Sequence, residues 1–332
     1  MNARELAERH LRPRAAEIDA RGEFPTEVLA LFREHDVFAA IDGPLLELTR
    51  VCEEISRVCA SSGMLLGNQY LGAGPIMLFG SDAQREYVPR FASGELLCSF
   101  ALTEPEAGSD AKALRTRARR VDGGWELSGR KCFITQANVA DVITVFAQAE
   151  EGISAFIVEG GWEVDKVERK MGLRGSPTCS LALDGVAIGD DALVGRLGGG
   201  LRIALTSLNK GRIMTASLAL GIAQGALEAA LERATPIYSD TLADMQTDVL
   251  AARALIHHAA ARYDAGDPGI VKLSAAAKLF ATEMVNRVCS SAVDVVGLED
   301  SPAGRMLRDA RVFSIFEGTN QIQRLVIARE LR

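Results

Sequence analysis

The stretch Arg308-Asp309-Ala310-Arg311-Val312-Phe313-Ser314-Ile315-Phe316-Glu317-Gly318-Thr319-Asn320-Gln321-Ile322-Gln323-Arg324 sets the carboxylate of Glu317 between an apolar pair and a glycine. An acid flanked by apolar residues has its charged form disfavoured, which raises its pKa toward the range of a general base. Glu317 is therefore the catalytic candidate. Gly318 permits close backbone approach, and Thr319 or Asn320 can cap the helix that follows and aim its positive end at an anion. The plainer reading is an ordinary capping loop with a solvated glutamate.

Upstream of this stretch, after Gly198-Gly199-Gly200, helical periodicity runs over residues 201–233, 242–263 and 270–296, and it resumes over 320–331. Four long amphipathic segments with short connections predict a four-helix bundle. Residues 96–188 have a different texture. Short β-rich runs at 96–102, 125–127, 142–146, 155–158 and 181–188 are separated by turn signals at Asp122-Gly123-Gly124 and Asp184-Gly185. Residues 3–90 return to helical spacing. The predicted fold is mainly α with a central β domain, divided into a helical domain at 1–95, a β domain at 96–192 and a helical bundle at 193–332. Pockets form preferentially at such junctions.

Composition narrows the function. With 332 residues, 48% of them apolar, the chain can bury a large core. A net charge of −7 without a long basic run disfavours nucleic acid or an anionic membrane as partner. The charged start Met1-Asn2-Ala3-Arg4-Glu5 lacks the apolar run of a secretory signal, and no stretch of about 18 uninterrupted apolar residues follows, which predicts a cytoplasmic location. Cys52, Cys59, Cys98, Cys132, Cys179 and Cys289 contain no CxxC pair and read as reduced, buried thiols. No metal is expected: His257 and His258 diverge by about 100° on a helix. There is no GxSxG elbow, and Gly195-Arg196-Leu197-Gly198-Gly199-Gly200 lacks GxGxxG spacing, which disfavours a serine hydrolase and a nicotinamide enzyme.

Two further segments carry chemistry. Ala101-Leu102-Thr103-Glu104-Pro105-Glu106-Ala107-Gly108-Ser109-Asp110 follows a predicted strand and ends in a small-residue turn, where backbone N–H groups and the Thr103 and Ser109 hydroxyls can cradle a pyrophosphate. A plain strand and turn is the competing reading. Gly129-Arg130-Lys131-Cys132-Phe133-Ile134-Thr135 alternates so that Phe133 and Thr135 face one side, able to pack against and hydrogen-bond a flat heterocycle. Taken alone, Phe133 reads as a core residue.

Together, the three segments resemble the acyl-CoA dehydrogenase family, whose TEPxAGSD and FEGTNQIQRLVIAREL-like signatures occur here in family order. The resemblance implies FAD and an acyl-CoA thioester held among an N-terminal helical domain, a β domain and a C-terminal four-helix bundle. It implies that Phe100, Ala101, Leu102, Thr103, Gly108 and Ser109 line the flavin and its phosphates. Phe133 packs on the flavin, Ile134 and Thr135 lie beside it, and Thr135 hydrogen-bonds near its reactive nitrogen. Gly318, Thr319 and Gln321 match a second FAD segment. Ser109, Asn209 and Arg212 match substrate-side positions, Asn209 standing where aspartate is usual. The implied reaction is α,β-desaturation to a trans-2-enoyl thioester, with Glu317 taking the α-proton and the β-hydride going to flavin N5. Some members carry the base just before the arginine that corresponds to Arg212; here that position is Gly211, which leaves Glu317.

Three departures from the family pattern matter. A glycine-rich loop that helps wall the acyl pocket is missing where Val37-Phe38-Ala39-Ala40-Ile41-Asp42-Gly43 runs almost directly into the helix containing Cys52-Glu53-Glu54-Ile55, so a bulkier acyl group is expected to fit. The RxQFGxPIxxFQ segment is shortened to residues 232–240, and the QxxGGxG motif is degraded to residues 294–300. In the family both contact FAD of a neighbouring subunit. The chain is therefore expected as a homotetramer or as α2β2 with a second dehydrogenase-like chain, as in heteromeric enzymes of steroid side-chain degradation. An electron-transferring flavoprotein is the implied acceptor. An acyl-carrier protein in place of CoA, a fatty-acid or steroid substrate of β-oxidation, an oxidase or flavin monooxygenase of the same superfamily, and a non-catalytic partner subunit all stay open.

Overall fold

The computed structural model describes residues 1–298 and 301–331; Glu299 and Asp300, the end of the degraded motif, lie outside the described residues. The first part is helical: α1 (Ala3–Leu6), α2 (Ala15–Arg21), α3 (Thr26–Glu34), α4 (Leu45–Val58), α5 (Ala60–Phe79), α6 (Asp82–Arg85) and α7 (Tyr87–Ala92). Local signals account for several ends. α2 stops at Gly22, whose φ of 68° is the left-handed conformation that a C-terminal glycine adopts readily. α6 opens with a reciprocal capping box between Ser81 and Gln84. Only Gly43 and Pro44 separate the 3-10 turn Val37–Asp42 from α4, so the short connection read from the sequence is present.

The middle part contains β1 (Cys98–Ala101), β2 (Arg117–Val121), β3 (Gly124–Thr135), β4 (Val142–Ala149), β5 (Gly152–Val158), β6 (Trp162–Val167), β7 (Thr178–Gly189) and β8 (Leu193–Val194). They form one sheet in the order β6-β7-β3-β2-β4-β5-β8, with β1 parallel to β4. β2 and β6 are additions to the sequence reading. Both are charged and mostly exposed, so no apolar alternation marks them. β3 is also longer than expected, and its register shifts between Leu127 and Gly129 and between Lys131 and Ile134.

The last part consists of α8 (Gly200–Leu231), α9 (Ser239–Asp264), α10 (Ile270–Val296), the unexpected short α11 (Pro302–Ala310) and α12 (Asn320–Arg329). α8, α9 and α10 pack together, α12 lies on α10, and α4 and α5 pack on α8. α8 is consequently surrounded, and every residue from Lys210 to Ala223 is buried. Its most apolar 18-residue window is 83% buried inside the protein, so packing accounts for its composition. Glycines set the spacing of α5 against α8. A Cβ at Gly63 would lie 2.8 Å from Leu218, and one at Gly67 would lie 2.6 Å from Met214.

A short loop of the β region joins all three parts. The Leu173 N–H donates to Asp309 Oδ1 of α11 at 2.6 Å. Arg308 donates to the Met171 carbonyl at 2.9 Å and pairs with Asp19 of α2. The Gly175 N–H donates to Ser61 Oγ of α5 at 3.2 Å. All six cysteines are buried and unpaired.

Candidate active site

Glu317 and Gly318 stand between the 3-10 turn Arg311–Ser314 and α12 with φ of 56° and 82°, two successive left-handed residues. Such a conformation is unfavourable for a glutamate and persists only where surrounding contacts enforce it. Those contacts are present. Gln323 Nε2 donates to the Glu317 carbonyl at 3.1 Å and to the Gly318 carbonyl at 2.9 Å, and Lys278 Nζ donates to the Gly318 carbonyl at 2.9 Å. Thr319 is the residue that caps α12, accepting from the Ile322 N–H at 3.2 Å. Asn320 is buried instead, and its Oδ1 accepts from Lys278 Nζ and Thr282 Oγ1, each at 2.9 Å.

This turn throws the Glu317 carboxyl against α8 at its one bare position there. A Cβ on Gly211 would come within 2.9 Å of both carboxyl oxygens. Although the residue as a whole is only half-buried, Oε2 is enclosed and has no hydrogen-bond partner. Burial lifts the Glu317 pKa from its ordinary 4.5 to about 7, against the opposing pull of Arg212 and Lys278. Arg212 is itself buried. Its Nη1 donates to Asn209 Oδ1 at 2.9 Å, its Nε is unpartnered, and burial lowers its pKa against the attraction of Glu317. Glu317, Gly318, Asn209 and Arg212 therefore form one cluster. Lys278 and Gln323 belong to it as well and were not read from the sequence.

The segments at 101–110 and 129–135 form a second cluster. The Cys132 N–H donates to the Thr103 carbonyl at 3.0 Å, which brings Leu102 and Thr103 beside Phe133. A buried ion pair locks this arrangement: Lys131 Nζ lies 2.7 Å from Glu104 Oε1 and also donates to the Leu102 and Phe146 carbonyls at 3.1 and 2.6 Å. Glu104 further accepts the Arg115 and Thr116 N–H groups at 2.6 and 3.0 Å. Burial works against the Glu104 carboxylate, yet Lys131 and these N–H groups outweigh it and hold its pKa below the ordinary value.

Phe133 sits in the β3 bulge with φ of 57° and is 64% exposed, so it is no core residue. Ile134 and Ala101 are buried. Their side chains fill the sheet core, leaving only backbone atoms to meet a ligand. Phe100 is half-buried with its ring 4.8 Å from that of Phe146. Thr103 and Thr135 are half-buried, Gly108, Ser109 and Gln321 are exposed, and a Cβ on Gly108 would meet nothing within 4 Å. Among the described residues, no hydrogen bond joins this second cluster directly to Glu317.

Models of the acyl-CoA dehydrogenase N-terminal, middle and C-terminal domains match residues 1–95, 99–186 and 198–332. A Bacillus subtilis (strain 168) protein named acyl-CoA dehydrogenase is 38% identical over 362 aligned positions, covering 99% of this chain and 95% of its own. Those positions outnumber the 332 residues here, so the chain is locally shortened relative to that protein. Butyryl-CoA dehydrogenase from Megasphaera elsdenii superposes with a TM-score of 0.94 at 33% identity, covering 99% of this chain and 96% of its own. A Mycobacterium smegmatis glutaryl-CoA dehydrogenase in complex with FADH2 superposes with a TM-score of 0.92 at 26% identity, covering 99% and 92%. With all three of its parts matched and the fold shared throughout, the chain belongs to the acyl-CoA dehydrogenase family of oxidoreductases.

Proposed function

We propose that the chain catalyses FAD-dependent α,β-desaturation of an acyl-CoA thioester, with Glu317 as the base that removes the α-proton. The observation that carries this reading is the enclosed, unpartnered Glu317 carboxyl held in a strained turn opposite Gly211. With a pKa of about 7 it is partly ionised at neutral pH while remaining basic enough to accept a carbon-bound proton.

The residues present fit FAD. An exposed aromatic stands on a strand beside half-buried threonines, Gly108 leaves room for close approach, and Arg212 Nε and Gln323 Oε1 are buried without partners. Phe100, Leu102, Thr103, Gly108, Ser109, Phe133 and Thr135, the backbone at Ala101 and Ile134, and Gly318, Thr319 and Gln321 would hold it. When bound, FAD supplies a two-electron acceptor for the hydride that leaves the β-carbon. Everything else falls to the protein. The Glu317 carboxylate takes the α-proton as the new double bond forms. Among the described residues the Glu317 N–H has no acceptor, which supports a role for it as a donor to the thioester oxygen as negative charge gathers there. Asn209 and Arg212 border the substrate side, and Ser109 is placed to touch CoA. An electron-transferring flavoprotein is the corresponding external acceptor.

The test is anaerobic mixing with straight-chain, branched and steroid side-chain acyl-CoA thioesters, followed by flavin absorbance and detection of the enoyl product. Absence of bleaching with the whole panel, in an assembly that carries flavin at full occupancy, would refute the reading. Gly211→Ala offers a second check, because the three atoms its Cβ would meet first all belong to the Glu317 carboxyl. Its melting temperature should change by no more than about 4 °C, whereas its turnover should fall about a hundredfold through misplacement of the base.

The shortened segments favour α2β2 assembly over a homotetramer. The α8–α9 connection is confined to residues 232–238, with Ile237 85% exposed, and α10 ends directly at Gly297 with φ of 86°. Such short connections leave little to lend to a neighbour's cofactor. Purified alone, the chain should hold far less than one flavin per chain. A homotetramer with a flavin-to-chain ratio near one would refute the heteromeric assembly while leaving the desaturation chemistry intact.

A further inference from the structure

We propose that Lys278 is a positioning residue for Glu317: its ammonium pins the left-handed turn through the Gly318 carbonyl and the Asn320 side chain, and sets a second positive charge beside the carboxyl. This role rests on Glu317 being the base. Lys278 lies in the buried stripe of α10 formed by Ser274, Lys278, Thr282 and Val285, each 0% exposed. A charged amine is retained in such a place only against a substantial desolvation cost. Among the described residues no carboxylate lies within 4 Å of its ammonium, so a direct ion pair does not explain its presence.

Its acceptors point to the explanation, because both belong to the turn that carries Glu317. The Gly318 carbonyl already receives Gln323 Nε2 at 2.9 Å, so a neutral donor at position 278 is not needed to satisfy it. What the lysine adds is charge. The groups facing Glu317 are Arg212 from α8 and Lys278 from α10. Lys278 in turn senses Arg212 and Glu283, the latter paired with Arg324 of α12. Burial pulls the Lys278 pKa down to about 8, with Glu317 opposing, so the ammonium persists through neutral pH. Without it, the burial of Glu317 would be opposed by Arg212 alone, and the carboxyl would hold its proton to higher pH.

The decisive experiment compares wild type, Lys278→Met and Lys278→Gln by two readouts. The first is the Glu317 titration in substrate-free protein, followed by carboxyl 13C NMR of 13C-glutamate-labelled samples and assigned with Glu317→Gln. The second is the pH dependence of flavin reduction in a single turnover. Both variants should move the Glu317 titration and the acid limb of the rate up by about one unit, lowering the rate at pH 6 about tenfold. Lys278→Gln retains a donor for Gly318 and separates charge from anchoring, and it stands in should Lys278→Met fail to fold. An unchanged Glu317 titration would overturn the proposal. If the titration moves but wild type desaturates no acyl-CoA, the proposed reaction fails and the coupling of Lys278 to Glu317 stands.

Discussion

Replacing Glu317 by glutamine is expected to slow flavin reduction by an acyl-CoA at least about a thousandfold, within the range that a positioned base contributes. The substitution keeps the shape of the side chain and the backbone bonds of the turn, since Gln323 and Lys278 grip the carbonyls of Glu317 and Gly318 and not the carboxyl. Arg212 and Lys278 remain in place, so the loss is assigned to the missing proton acceptor. Anaerobic stopped-flow absorbance measures it directly. A rate within tenfold of wild type would remove Glu317 from the reaction. The same variant has a signature in stability. Burial raises the Glu317 pKa from 4.5 to about 7, so between those values the folded chain binds more protons than the unfolded one. Wild-type stability therefore falls as pH rises through that window, and Glu317→Gln should remove that part of the slope. Denaturant titrations of substrate-free protein at several pH values between 4.5 and 7 would show it.

The largest loss of stability is expected at Lys131. Among the described residues, Lys131→Met removes the one cation within 4 Å of the buried Glu104 carboxylate and leaves that charge with backbone donors. Breaking one side of a buried pair typically costs about 3–5 kcal/mol. The Leu102 and Phe146 carbonyls lose a donor as well, so the upper end of that range is expected. Because Lys131 joins β3 to the 101–110 turn, flavin affinity should fall together with the denaturation midpoint. The double variant Lys131→Met/Glu104→Gln should recover part of the stability, and failure to recover any would mean that packing dominates over charge at this pair.

Sequence patterns revealed whatever depends on neighbours along the chain. The periodicity of residues 270 to about 296 gave α10, whereas the apolar flanks of Glu317 are not what encloses it: Ile315 is 62% exposed, and the carboxyl is buried against Gly211 of α8. Features set by distant partners were hidden. Lys278 reaches the Gly318 carbonyl across 40 residues, and nothing local distinguishes it from a solvated lysine, although its phase with Ser274 and Thr282 was available as a signal. Glu104 and Lys131, 27 residues apart, stood unremarked inside two quoted motifs. The alternation rule held only in part at Phe133, because a bulge with positive φ breaks the strand there. Charged edge strands such as β6 have no apolar face to read.

The hydrogen bonds made by residues 171–175 to Asp309, Arg308 and Ser61 have an implication for how the molecule fails. Through these bonds the loop ties the central sheet to both helical parts at once. Loosening the loop at Leu173, itself held at φ of 50°, removes a support from α11 and, through it, from the turn bearing Glu317. On the proposed chemistry, a lesion in this loop is expected to disturb the Glu317 carboxyl before the fold as a whole gives way.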